Sequence, residues 1–250
     1  MKLLLLAGTH GVEKQSSYFL DRFFDTYKES FDTLSGKPLL EKLSISRLFN
    51  LKPNEYEHNC KLIERNQDLE NRPGNKDEII AIPVFNPTGL KNLTRTNSNN
   101  VDLNRNMPSK NWEYGKLKLN GEANPYYPGE FPKSEIETQF LTQIIEDHKI
   151  DLVVSFHTNH FIKNKNEAQI NYDGCGTHKT WAENLAKLCK LPFTEDIGYP
   201  TPGSLGSYAK DQNLDCVTVE FEDSESEEQI FANYKNSFFE SIKELFEKDA

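Results

Sequence analysis

No stretch of the 250-residue sequence approaches the roughly 18 apolar residues that a membrane-spanning helix requires. The early apolar run Leu3–Ala7 stops at Gly8, short of the roughly 7–15 residues of a secretory h-region, so a buried first strand explains it better. Cysteine is scarce. Cys60, Cys175, Cys189 and Cys216 show no CxxC spacing and read as free thiols in a reducing, cytoplasmic setting. Positive charge is short as well: 29 Lys and Arg against 39 Asp and Glu leave a formal net charge of -10. That balance argues against a nucleic-acid backbone or an anionic membrane as partner, and leaves an anionic small substrate only what a few placed arginines can hold. Apolar residues are lean at 36%, yet 16 Phe and 10 Tyr can build a sizeable core, which excludes a disordered chain. There is no internal repeat, low-complexity tract or linker, so residues 1–250 are expected to form one domain. The oligomeric state is not legible.

What is present alternates between strands and helices. Leu3–Ala7 reads as a strand running into Gly8-Thr9-His10-Gly11, and Tyr18, Phe19, Phe23, Phe24, Tyr27 and Phe31 recur with helical period. A strand is expected near Leu43–Leu48, followed by a polar stretch ending in Pro73-Gly74-Asn75, and another over Ile79–Phe85, stopped by the turn signal Asn86-Pro87-Thr88-Gly89. Residues 86–133 are rich in Asn, Pro and Gly with little periodicity, a length of connection that is either functional or hides an element the periodicity does not show. Ser134-Glu135-Ile136-Glu137 reads as a capping box opening a helix with Ile136, Phe140, Leu141, Ile144 and Ile145 inward. Asp151–Phe156 is a strand that delivers His157, and Thr177–Cys189 a helix with Trp181, Leu185 and Leu188 on one face. Ser204 caps a short helix to Asp211, Cys216–Phe221 is a strand, and Ser226–Glu247 is a long amphipathic helix. The alternation predicts an α/β fold: a mixed, mostly parallel twisted sheet with helices on both faces.

In such sheets ligands bind outside the carboxyl ends of the strands. Three strand ends carry candidate residues: His10 and Glu13 after the first, His157 after Asp151–Phe156, and Glu220 in Cys216–Phe221. Two imidazoles and one carboxylate with an open fourth position are the donor set of a catalytic zinc ion. His160 offers an alternative HxxH pair, while His58, His148 and His178 sit in polar contexts and read as surface groups. Glu220 stands in an apolar run. It either faces water on an edge strand or acts as a general base with a raised pKa, and Glu222, two residues on, competes for that role. Arg95 and Arg105 in the long loop either pair with surface acids or polarise a carbonyl and clamp a carboxylate. Trp112, Tyr126 and Tyr127 are candidates for the lining of a substrate cleft.

Taken together, Gly8-Thr9-His10-Gly11-Val12-Glu13, Asn86-Pro87-Thr88-Gly89, Arg95, Val101-Asp102-Leu103-Asn104-Arg105-Asn106, Ser155-Phe156-His157 and Thr218-Val219-Glu220 resemble the zinc metallocarboxypeptidases. Tyr127-Pro128-Gly129, Asn171-Tyr172-Asp173-Gly174 and the run Ile197–Tyr208 resemble the murein tripeptide amidase branch of that family. The resemblance implies one zinc ion per chain held by His10, Glu13 and His157. It implies Arg95 as the oxyanion stabiliser, Asn104 and Arg105 as holders of a substrate carboxylate, Tyr199 near the position of a tyrosine that closes over substrate, and Glu220 as general acid/base. The implied activity is cytoplasmic hydrolysis of the γ-D-glutamyl–diaminopimelate bond of recycled cell-wall peptides. The chain departs from the family pattern at Val12, at Met107 and at Asn100, where a glycine usually precedes Val-Asp; asparagine tolerates the left-handed geometry such a turn needs. The first motif is also similar to aspartoacylase-like deacylases, and a non-catalytic peptide-binding relative is the other alternative.

Overall fold

The computed structural model describes residues 1–35, 40–43, 77–159 and 168–247. Among these, seven strands form one twisted sheet: β1 (Lys2–Leu6), β2 (Leu40–Lys42), β3 (Glu78–Ile82), β6 (Leu152–Thr158), β7 (Gln169–Asp173), β8 (Phe193–Thr194) and β9 (Asp215–Phe221). Their order is β2-β3-β1-β6-β9-β7-β8. Every pairing in this sheet is parallel except β7 against β9. A separate hairpin joins β4 (Lys118–Leu119) to β5 (Glu122–Ala123). The helices are α1 (Lys14–Ser35), α2 (Pro87–Asn92), α3 (Ile136–His148), α4 (Lys179–Cys189), α5 (Leu205–Asp211) and α6 (Glu227–Glu247). Mixed α/β architecture with both sheet faces covered is therefore what the alternation predicted.

The two faces follow from side-chain alternation along the strands. Leu3, Leu5, Val154, Phe156, Val217, Val219 and Phe221 point to one face and pack with residues of α1, α4 and α6. Phe19 of α1 sits at the centre, its ring 5.3 Å from Phe156, 4.9 Å from Phe221 and 5.4 Å from Phe238. Each such fully buried aromatic contributes roughly 1.5–3 kcal/mol of transfer free energy. Leu4, Leu6, Ile80, Ile82, Val153 and Cys216 point the other way, towards α3 and α5. On that second face the alternate positions of β6, β9 and β7 turn polar: Ser155 and His157, Thr218 and Glu220, Asn171 and Asp173. Polar side chains there mark where the core gives way to a site.

Several expectations shift. β3 ends at Ile82 because Pro83 has no N–H to continue the ladder. Asn86-Pro87-Thr88-Gly89 opens a helix rather than a turn: Asn86 Oδ1 accepts from Gly89 N at 2.8 Å, with proline at the first helical position. The capping box at α3 does not form. Ser134 Oγ bonds to Glu135 Oε1, no side chain caps the helix, and Glu137 is buried against Asn97. The inward face of α3 is accordingly Glu137, Thr138, Leu141, Thr142, Ile144 and Ile145, with Ile136 and Phe140 half-buried. On α4, Leu188 is exposed, and Trp181, Ala182, Leu185, Ala186 and Cys189 form the buried face. Of the strand expected over Leu43–Leu48, residues 44–48 fall outside the described residues, as do Pro73-Gly74-Asn75, His58, His160 and Cys60; β2 at Leu40–Lys42 directly precedes that stretch. Cys175, Cys189 and Cys216 are free thiols. No helix among the described residues is long and apolar enough to cross a membrane.

Candidate metal centre and substrate cleft

From β1 the sheet grows towards β3 and β2 on one side and towards β6 and β9 on the other, which puts the switch in strand order between β1 and β6. A crevice at the carboxyl ends of the strands opens at such a point. His10 and Glu13 lie in the turn after β1, and His157 lies in the last turn of pleat in β6. The turn after β1 is held close by backbone contact. A Cβ at Gly11 would lie 1.9 Å from the carbonyl carbon of Gly89, Gly11 N donates to Thr94 O at 2.9 Å, and Asn86 Nδ2 donates to Thr9 O at 3.2 Å. The first and second sequence motifs are thus two halves of one corner.

His10 Nδ1 lies 2.7 Å from Glu13 Oε1, and His157 Nδ1 lies 2.8 Å from Glu13 Oε2. The three donor groups lie within 4.8 Å of one another and are all buried. The outer nitrogen of each imidazole has its own partner: His10 Nε2 faces Asp102 Oδ1 at 3.0 Å, and His157 Nε2 faces Ser155 Oγ at 3.1 Å. With the outer nitrogens occupied, both Nδ1 atoms aim at the point Glu13 also faces. Two imidazoles and a carboxylate, converging and oriented from behind, fit a zinc ion with an open fourth position. Burial alone would raise Glu13, but the charges of His10 and His157 outweigh it and hold the carboxyl well below its usual range.

Asp102 is wholly buried. Besides His10, it accepts from Arg95 Nε at 2.9 Å, pairs with Arg95 Nη2 at 2.9 Å, and accepts from Asn104 N at 2.9 Å. Despite burial, the Arg95 guanidinium and His10 keep its carboxyl well below the ordinary range. Arg95 Nη1 in turn stands 4.0 Å from Glu13 Oε1. Asn104 Oδ1 is taken by Leu205 N at 2.9 Å, which directs its amide nitrogen to the cleft; Arg105 Nη1 donates to Asn104 O at 2.6 Å. The turn before Asp102 passes through Asn100 at φ +60°, the left-handed geometry for which asparagine substitutes for glycine.

Glu220 pairs in register with His157 on the neighbouring strand and lines the cleft. Burial and the Glu13 carboxylate push its pKa up against the pull of His157 and Arg95. Glu222 takes Asn159 Nδ2 and Ser224 Oγ instead, so of the two acids only Glu220 lines the cleft. All eight residues singled out from the sequence (His10, Glu13, Arg95, Asn104, Arg105, His157, Tyr199 and Glu220) line one cleft of about 650 Å³, part of it open to solvent. Tyr199 is 45% exposed at its rim.

None of the three loop aromatics is among the residues that line the cleft. Tyr126 stacks on the arginines, its ring centre 4.9 Å from Arg95 Cζ and 5.8 Å from Arg105 Cζ, and Tyr127 is buried, its carbonyl accepting from Asp102 N. His148 and His178 are not free surface groups: they bond Glu78 Oε2 at 3.1 Å and Asp215 Oδ2 at 2.8 Å. Two features had no role assigned from sequence: Asp102, although it stands inside a quoted motif, and the pair Asn171 and Asp173 on the cleft wall.

Residues 2–222 match the family described as zinc carboxypeptidase. The chain belongs to that family. Within it, the chain is 37% identical over 162 residues to murein peptide amidase A of Escherichia coli K12, covering 61% of this chain and 63% of that protein. It is 33% identical over 151 residues to murein peptide amidase A of Vibrio campbellii, covering 58% and 56% respectively. The chain therefore spans less than two thirds of the length of the curated relatives it matches. Among solved structures, the murein-tripeptide amidase of Escherichia coli O157 superposes with a TM-score of 0.63 at 29% identity, over 98% of this chain and 81% of that one.

Proposed function

We propose that this chain is a zinc-dependent amidase that hydrolyses the γ-D-glutamyl–diaminopimelate bond of murein peptides, in the recycling of cell-wall fragments in the cytoplasm. The observation that carries the reading is the convergence of the His10, Glu13 and His157 donors in the cleft that also holds Glu220, Arg95, Asn104 and Arg105. Likeness to proteins named murein peptide amidase A supports the choice of substrate.

His10 Nδ1, Glu13 and His157 Nδ1 would hold the zinc ion, which when bound supplies Lewis acidity for polarising the amide carbonyl and acidifying a water. Glu220 takes the proton of the attacking water on its carboxylate and returns it to the leaving amine. A raised proton affinity suits a group that must do both near neutral pH. Arg95, fixed by Asp102, presents its guanidinium to the developing oxyanion. The Asn104 amide and the Arg105 fork hold the carboxylate of the leaving residue, which makes the attack an oriented one. Tyr199 forms the rim under which the substrate is enclosed.

The test is release of free diaminopimelate from L-Ala-γ-D-Glu-diaminopimelate, followed by mass spectrometry on zinc-loaded protein, with Glu220→Ala in parallel. The parent is expected to release it, and the variant to keep its zinc while losing at least about 100-fold in rate. Equal release by both would remove Glu220 from the base role. No release by the zinc-loaded parent would reject the substrate, and N-acyl amino acids would be assayed next.

A further inference from the structure

The residues gathered at the cleft sit on two kinds of backbone. His157 and Glu220 are held by the sheet, whereas Asp102, Asn104 and Arg105 lie on an irregular loop whose own structure is one three-residue turn, Leu103–Arg105. Irregular backbone keeps its place only through partners supplied from elsewhere. Two buried asparagines, Asn97 and Asn106, flank this loop, and the start of α3 holds both.

At the first end, Asn97 Oδ1 accepts from Asn99 N at 3.0 Å and from Val101 N at 3.1 Å. Asn97 N donates to Val101 O at 2.9 Å, which closes the turn that delivers Asp102. The other side of the same amide, Nδ2, donates to Glu135 Oε2 at 2.7 Å, and Asn99 Nδ2 donates to that oxygen at 2.8 Å. At the second end, next to Arg105, Asn106 Oδ1 accepts from Thr138 Oγ1 at 2.6 Å and from Glu135 N at 3.1 Å. Asn106 Nδ2 donates to Pro128 O at 2.7 Å and to Ser134 Oγ at 2.9 Å.

Glu135 forgoes a local role to make these contacts. It occupies the N-cap of α3, where Ser, Thr, Asp or Asn would bond the helix's own N–H groups, and its side chain makes no such bond. A position that breaks a local rule is explained by what it holds elsewhere, and Glu135 holds the loop. None of Asn97, Asn106, Glu135 and Thr138 lines the cleft, so what they contribute passes through Asp102 and Arg105.

We propose that the start of α3 is a two-point clamp in which Glu135 and Thr138 are positioning residues. Glu135, through Asn97, fixes the Asp102 end of the loop, and Thr138, through Asn106, fixes the Arg105 end. The two ends have different readouts. Asp102 backs His10, so loosening the first end weakens zinc binding. Arg105 lines the cleft, so loosening the second weakens recognition of a substrate carboxylate. The second readout rests on the amidase reading, in which Asn104 and Arg105 hold the carboxylate of the leaving residue; the first needs only the metal triad.

The experiment measures both on folded, zinc-loaded protein. Zinc affinity is read by competition with a chromophoric chelator. Carboxylate recognition is the ratio of kcat/KM between free acid and carboxamide, at the α-carboxyl next to the scissile nitrogen, in L-Ala-γ-D-Glu-diaminopimelate and in hippuryl-diaminopimelate. Glu135→Ala is expected to lose about 2–30-fold in zinc affinity. Thr138→Val should keep the parent's affinity while its acid-over-amide ratio falls about 2–30-fold. Glu135→Gln retains an oxygen for both asparagines and Thr138→Ser retains the hydroxyl, so these two should behave as the parent. Glu135→Asp, one methylene short of Asn97, carries the same test if the alanine variant does not fold. Parent zinc affinity in the folded alanine or aspartate variant, a parent ratio in Thr138→Val, or equal losses on both readouts in both variants would overturn the clamp. If the parent cleaves no γ-D-glutamyl peptide, the amidase reading fails, and zinc affinity still decides on the clamp.

Discussion

Asp102 and His10 are 92 residues apart in sequence and 3.0 Å apart in space, carboxylate Oδ1 to imidazole Nε2. The other oxygen of the same carboxylate holds Arg95 at 2.9 Å. One buried acid thus orients both an imidazole of the candidate metal triad and the Arg95 guanidinium that lines the same cleft. Accepting from Nε2–H fixes His10 in the tautomer whose Nδ1 lone pair is free for a metal.

Replacing Asp102 by asparagine should therefore weaken the metal site without touching a ligand. Zinc affinity, measured by competition with a chromophoric chelator, is expected to fall about 10–100-fold. Activity at saturating zinc should also stay below the parent's, because Arg95 loses its charged partner. Unchanged affinity in the variant would remove Asp102 from the support of His10.

The distribution of what was legible follows from contact range. β1, α1, β9 and α6 were legible because Leu3–Leu6, the Phe and Tyr stripe of α1, Val217–Phe221 and the inward row of α6 each carry an uninterrupted local period. β7 and β8 escaped notice because one is five residues and the other two, too short for the alternation of Ile170 and Tyr172 with Asn171 and Asp173 to stand out. The box Ser134–Glu137 misled because its glutamate points inward to Asn97, a partner 40 residues away. The same limit separates the site residues. His10, Glu13, His157 and Glu220 announce themselves as ionisable groups at strand ends, whereas the role of Asp102 exists only through contacts made across the fold.

Tyr126 supports the two arginines through its ring rather than its hydroxyl, at 4.9 and 5.8 Å. Tyr126→Ala should raise KM for carboxylate-bearing substrates about 5–20-fold, the size of one or two partly desolvated cation–π contacts. Tyr126→Phe should stay close to the parent, since the aromatic face survives. Steady-state kinetics on the two variants check this; a phenylalanine variant as impaired as the alanine one would show that the hydroxyl is what matters.

Glu137 predicts a pH dependence of stability that is separate from catalysis. It is 1% exposed, its side-chain partner Asn97 Nδ2 at 3.3 Å also donates to Glu135, and burial next to the Glu135 charge pushes its pKa from 4.5 up to about 7. The folded state thus binds this proton more tightly than the unfolded chain does. Below pH 4.5 both states are protonated and the group is neutral to stability. As pH rises from about 4.5 to 7, the unfolded chain gains by ionising while the folded one cannot, so stability falls, and above about 7 the loss is complete. A rise of roughly 2.5 pH units corresponds to about 3 kcal/mol. Glu137→Gln keeps a carbonyl to accept from Asn97 and has no proton to lose. Urea unfolding at pH 5 and pH 8 should show the parent losing about 2–3 kcal/mol relative to the glutamine variant between the two. Parallel pH profiles for the two proteins would mean that the pKa of Glu137 is not raised in the folded state.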